Sequence, residues 1–367
     1  MTLRRTGLLA LAFILLTGAP PVLAADELFT VRGVAVDRTA ASADQAKTLA
    51  LGDGQRQAFF RLIGRLAFSG AGARLAHLDD PSIAGLVESF GVESEKTSAV
   101  RYIASLTVSF SPSRVRDLLR REAIAFAETP SKPVLVLPVL SSGGAFSLWD
   151  EPNPWRDAWA ALQDHDGLVP LVLPLGDLAD IAAISARQAV DGNDDRLAAI
   201  AARYGASDTL VVVAAPRFGS SGTGLHLTIS RFGPGQVGDV VVDTVDAGDR
   251  AGLAAAYDRA VSRVVRAAEE SWKAAVAVGT GSGGTLPVTV RFETLAAWAA
   301  MERRLRAVAA VRQVTLQSFS LRDAEARLLY VGSEAQLALA LAQSDIVLGP
   351  PDAFGRRPLS LRGSAAP

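Results

Sequence analysis

The sequence predicts an α/β and α+β chain built as three small units, and three features point there. The apolar run Pro133-Val-Leu-Val-Leu-Pro-Val139 ends at Ser141-Ser-Gly-Gly144 and is followed by Asn153-Pro154 and a helix-period segment. In that segment Trp155, Ala158, Trp159 and Leu162 fall at i, i+3, i+4 and i+7, one helical face behind an Asn cap with proline in the first turn. This is a βα unit with a separate segment before it and another after it. Gly279-Thr-Gly-Ser-Gly-Gly284 is a linker, and past it the elements run β-α-β-β-α-β, the ferredoxin-like order. A length of 367 residues suits about two or three domains at ~100–200 residues each.

The first residues form an address. Arg4 and Arg5 precede the apolar run Leu8–Leu16, and Val22-Leu23-Ala24 offers modest side chains for cleavage after Ala24, the three parts of a secretory signal peptide. Nine apolar residues fall short of the roughly 20 that span a bilayer, which disfavours an uncleaved anchor. The expectation is a periplasmic protein with residues 1–24 removed and no later membrane span. There is no cysteine, which excludes disulfides and a lipidated cysteine. A formal charge of −1 with 49% hydrophobic residues gives no reason to expect a nucleic-acid partner or a disordered chain.

Residues 25–130 are expected as an N-terminal α+β unit of order β-α-β-β-α. Residues 28–36 are its first strand. A helix from Ser42 to Leu66 follows, with Ala46, Ala50, Gly54 and Ala58 every four residues. Gly54 costs about 1 kcal/mol against alanine in mid-helix, so close packing on a sheet is its rationale. Tyr102, Ala104, Leu106, Val108 and Phe110 alternate with mostly polar residues, the pattern of a half-buried strand, and Val87–Lys96 is its hairpin partner. Ser111-Pro112 opens a helix bearing Val115, Leu118 and Leu119.

Residues 131–277 are expected as a central α/β unit. Leu168–Leu175 and Thr209–Ala215 join the opening run as three parallel strands with both faces covered. Asp177–Ala189 and Asp194–Tyr204 are helices. Leu225–Phe232 and Val237–Val245 form a hairpin across Gly233-Pro-Gly-Gln236, and a helix over Ala251–Ala275 closes the unit. Residues 278–285 are the linker and 286–348 the ferredoxin-like unit, with Ser333 and Gln336 as a capping box. Residues 349–367 are expected to be a disordered tail.

At this level a resemblance emerges. Thr30-Val-Arg-Gly-Val-Ala-Val36, Gly54-Gln-Arg-Gln-Ala-Phe-Phe-Arg-Leu62, Leu106-Thr-Val-Ser-Phe-Ser-Pro-Ser-Arg-Val-Arg-Asp-Leu-Leu119 and Lys132-Pro-Val-Leu-Val-Leu137 together resemble the exported Gram-negative domain-of-unknown-function family 2066. That likeness covers most of the chain after residue 24 and implies an envelope location without a defined activity. The central element order is also similar to the periplasmic α/β domains of TolB-like and curli-secretion-type proteins, which implies an assembly or scaffold role.

Motifs for chemistry fail on context. Gly279-x-Gly281-x-x-Gly284 has the letters of a dinucleotide fingerprint, yet it follows a helix and precedes a strand. Asp191-Gly-Asn-Asp-Asp195 starts like a calcium loop, but position six is Arg196 and position twelve Ala202. His77, His165 and His226 lie in different elements without zinc spacing. No cofactor or metal is therefore expected. Ligands of open α/β sheets bind at the carboxyl ends of strands, here Ser141–Trp149, Pro174–Asp177 and Pro216–Arg217. Trp155 and Trp159 belong to the core by their helical spacing, whereas Trp149, Asp150, Glu151 and Arg217 are the candidate binding residues. The functional expectation is a non-enzymatic binding or scaffold protein with envelope proteins as partners. The alternative is a hydrolase using carboxylates or a serine at these strand ends.

Overall fold

The computed structural model describes residues 25–162, 166–219, 222–233, 241–277 and 283–362. Residues 1–24, His165, residues 234–236 of the hairpin turn, residues 278–282 of the linker and residues 363–367 lie outside them. The class is as predicted, α/β and α+β, with sheets of three, six and five strands. Among the described residues no helix is long and apolar enough to cross a membrane.

In the first unit a short helix α1 (Ala25–Leu28) leads into β1 (Thr30–Thr39). Helix α2 (Ala43–Leu66) starts at Ser42, whose side chain accepts from Gln45 N at 3.2 Å. Two short helices that sequence periodicity missed, α3 (Ala71–Arg74) and α4 (Asp80–Ala84), precede β2 (Val87–Thr97), β3 (Arg101–Phe110) and α5 (Pro112–Arg121). The sheet order is β1-β3-β2, all antiparallel, with α2 laid across β1 and β3. The small residues Ala46, Ala50, Gly54 and Ala58 are all buried there. A Cβ at Gly54 would lie 3.0 Å from Val36 Cγ1 and collide with Leu106, so close approach is why glycine stands in mid-helix.

The central unit contains β4 (Val134–Ser142), β5 (Ala145–Ser147), α6 (Pro154–Ala160), β6 (Leu171–Val172), α7 (Leu178–Ala183), α8 (Ala186–Val190), α9 (Asp194–Arg203), β7 (Asp208–Gly219), β8 (Gly222–Phe232), β9 (Val241–Gly248) and α10 (Leu253–Val276). Strands β6 and β7 both pair parallel with β4, and β8 and β9 extend the sheet antiparallel. Val134 and Val136 face the core under α6 and α10, whereas Leu135 and Leu137 face a second core under α8 and α9. Two expectations change. Leu168–Leu175 pairs only at Leu171–Val172, because Pro170 and Pro174 flank it and cannot donate to a ladder. The single helix over Asp177–Ala189 breaks at Ile184-Ser185, where Ser185 and Gln188 form a capping box that starts α8.

The third unit holds β10 (Gly284–Arg291), α11 (Leu295–Ala307), β11 (Val311–Phe319), β12 (Asp323–Tyr330), α12 (Glu334–Gln343), β13 (Ile346–Leu348) and β14 (Arg357–Leu361). Its sheet order is β11-β12-β10-β14-β13. The ferredoxin-like succession is present, but β14 is inserted between β10 and β13, parallel to the first and antiparallel to the second. The tail expectation is thus corrected for residues 357–361. Leu359 lies in the core of this unit, giving the segment an apolar anchor that its Pro, Gly and Arg content concealed.

The first two units share one continuous core, while the third has its own. At the shared seam Lys273 donates to Gly64 O at 2.6 Å and Ala67 O at 2.9 Å, capping the carboxyl end of α2. Trp272 donates its indole N–H to Thr129 O at 2.7 Å. The third unit is attached through Gln343, which accepts from Lys132 N at 2.8 Å, and through the Lys132–Asp345 ion pair at 2.5 Å.

Candidate functional site

Two loops lie at the carboxyl end of the central sheet. The first, after β4, turns back through β5 and carries Leu148 inward against the α8–α9 core. Trp149 follows and is only partly exposed. It packs against the same core and donates its indole N–H to Ile184 O at 2.7 Å, at the carboxyl end of α7. The expectation of a free surface tryptophan is therefore corrected: the ring is off the Trp155–Trp159 stripe because it fills a different core. Trp155 and Trp159 are core as predicted, with Trp155 Nε1 donating to Val212 O at 3.0 Å.

The second loop, residues 173–177, is held by polar contacts from three directions. Arg156 of α6 donates to Leu175 O at 2.5 Å, and the Tyr204 hydroxyl accepts from Leu175 N at 2.9 Å. Asp180, fully buried, accepts from Gly176 N at 2.8 Å and from the Tyr204 hydroxyl at 2.5 Å. Arg203 Nε stands 2.9 Å from the other Asp180 oxygen, and its NH2 donates to Asp177 at 2.6 Å. Burial, and then the hydrogen bond to Asp180, push the Tyr204 phenol above its ordinary pKa. Asp177 also caps α7, accepting from Ala179 N and Asp180 N.

This network inverts α7. The helix turns its carboxylate inward and its large apolar side chains outward, with Leu178 84% and Ile181 48% exposed. Leu175, in the braced loop just before, is 73% exposed. A helix placed for its own stability would do the reverse, since an isolated buried carboxylate is costly and exposed leucine forgoes burial energy. The fixed apolar surface was not found from the sequence, because Asp177–Ala189 read as one amphipathic helix gives no reason for Asp180 to point inward.

The other candidate residues divide. Asp150 and Glu151 are exposed beside Trp149, and Asp150 accepts from Ser147 Oγ at 3.0 Å. Arg217 is exposed on β7, beyond the last β4–β7 pair at Leu140–Ala214. Strands β5 and β7 are two places apart, roughly 10 Å at ~4.8 Å per strand, so Arg217 belongs to the neighbouring part of the sheet end. On that face the pairs Arg217–Gly224 and Ala215–His226 place Arg217 diagonally from His226. His77 lies in the first unit, its Nδ1 2.9 Å from Arg74 O. In the calcium-like stretch, Asn193 caps α9 and Asp191 pairs with Arg187 at 2.9 Å.

A cavity of about 560 Å3 opens at the seam between α2 and α10. Its charged lining ties the first two units together. Glu270 accepts from Ser69 N at 3.1 Å and Arg65 is ion-paired with Asp166 across the seam, while Glu269 accepts from Leu168 N and Val169 N at 3.1 and 2.8 Å within the central unit. No family model matches the chain, and no curated protein matches it.

Proposed function

We propose that this chain is an exported, non-enzymatic binding or scaffold protein of the cell envelope, and that α7 and its braced loop are where a protein partner docks. The observation that carries the reading is the inversion of α7: Asp180 is fully buried while Leu178 and Ile181 face outward. Exposed apolar side chains grouped on a rigid support mark interaction sites more often than scattered ones do. Here three of them lie within residues 175–181, on a segment ordered by Arg156, Arg203 and Tyr204. The partner presents an apolar element to this helix, and Asp150 and Glu151 lie on the adjoining loop as its polar rim. Periplasmic localisation rests on the leader-like residues 1–24 and on the quoted resemblance.

The test compares the intact chain with Leu178→Asp. Partners captured by the wild type from envelope extract are identified, purified and titrated back. The variant loses at least tenfold in affinity for the true partner, while its thermal midpoint is unchanged. A partner that binds both proteins equally contradicts the docking site. A mature mass beginning at Met1, rather than at Ala25, contradicts the localisation.

A further inference from the structure

We propose that the tip of the third unit is a lipid-contact site that rests the protein on a zwitterionic bilayer surface. Three apolar side chains project there: Leu321 in the β11–β12 turn is 96% exposed, Leu295 at the start of α11 68%, and Phe319 at the end of β11 44%. Phe319 anchors the tip to an aromatic cluster. The Phe319 ring stacks on Phe292 at 5.2 Å and 22°, and Trp298 meets it edge-on at 5.8 Å. Phe292 N donates to Arg322 O at 2.9 Å, which pins the turn to the end of β10. The apolar side chains are therefore presented on an ordered support.

The shape and the charge select the occupant. A side chain 96% exposed on a hairpin turn protrudes, so the feature is a point rather than a groove. A protein partner needs ~800 Å2 of matching surface on each side, which a protruding point does not present. Insertion into a bilayer needs no such complementary area, and leucine and phenylalanine are side chains that enter the headgroup–acyl boundary. The formal charges at the tip cancel, Arg291 and Arg322 against Glu293 and Asp323, and Arg291 pairs with Asp323 at 3.6 Å. Nothing there favours a strongly anionic surface, and the complement is a bilayer of zwitterionic headgroups. The site is separate in the fold from α7 and does not depend on the protein-docking reading.

Sedimentation of the mature chain with phosphatidylcholine vesicles tests the proposal. The wild type pellets with the vesicles at low and high salt alike. Leu321→Asp weakens binding by roughly tenfold or more, the loss expected when one leucine no longer enters an apolar phase. Leu295→Gln, as a second variant, weakens it in the same direction, and thermal melts confirm that both remain folded. Leu178→Asp on α7 leaves vesicle binding intact. The proposal is overturned if the wild type stays in the supernatant, if high salt releases it, if Leu321→Asp binds as well as wild type, or if Leu178→Asp is the variant that abolishes binding.

Discussion

Trp149 donates its indole N–H to the carbonyl of Ile184 at 2.7 Å, and this contact joins the loop after β4 to the end of the inverted helix α7. The tryptophan therefore ties that loop to α7, the helix proposed to dock a partner. Ile184 itself is fully buried, so its carbonyl has little access to water if the indole is removed.

Replacing Trp149 by phenylalanine removes that donor while retaining most of the packing. It is expected to cost about 1–2 kcal/mol, because it leaves a buried carbonyl without a partner. Trp149→Ala also empties part of the α8–α9 core and costs about 2–3 kcal/mol, less than a fully buried site because the ring is partly exposed. Trp155→Ala costs about 3–5 kcal/mol, since that side chain is fully buried against Trp159 and Tyr257. Denaturant titrations of the three variants check the order. A Trp149→Ala protein as stable as wild type contradicts the bracing role.

Tyr102 gives the first unit a defined alkaline limit. Burial, and then its hydrogen bond to Glu95 at 2.7 Å, push the phenol from 10.0 up to about 12. A folded pKa above the unfolded one stabilises fully below pH 10.0, and that stabilisation is lost as pH rises towards about 12. Stability measured against pH is expected to fall over that window in the wild type, with a smaller fall in Tyr102→Phe. Parallel curves for the two proteins contradict the assignment.

The third unit has its own core, so a fragment of residues 283–362 is expected to fold alone. Residues 283–348 are expected not to, because removing β14 takes away the strand that links β10 to β13 and exposes the Leu359 site. Dispersed amide resonances for the longer fragment and collapsed ones for the shorter establish this. Folding of the shorter piece contradicts the role of β14.

Much of the fold was legible because side-chain period and capping chemistry are local. The Ala46–Ala58 stripe, the Tyr102–Phe110 alternation and the Trp155–Trp159 face each follow from a repeat of 3.6 or 2 residues. The break at Ser185 was also legible, since Ser185 and Gln188 have capping-box spacing, but the apolar run Ile181-Ala-Ala-Ile184 before it masked it. What could not be read depended on distant partners. Leu359 is buried only because β10 and β13 leave a place for its strand. Asp180 points inward only because Tyr204 and Arg203 reach it from the carboxyl end of α9. The strand-end rule pointed to Pro174–Asp177 as well as to the Trp149 loop, but gave no reason to single out Leu175, Leu178 and Ile181, whose exposure goes with Asp180 facing inward.

Cross-linking in the native cells tests the docking surface most directly. A photo-reactive residue at Leu178 is expected to capture one discrete envelope protein. The same residue at Asp258, on the outward face of α10, is expected not to capture it. Leu175→Asp, on the chain bearing the reactive residue, is expected to reduce the yield roughly tenfold, as loss of one buried leucine implies. No adduct from Leu178, or the same adduct in equal yield from Asp258, contradicts the claim that inverted α7 is where a protein partner binds.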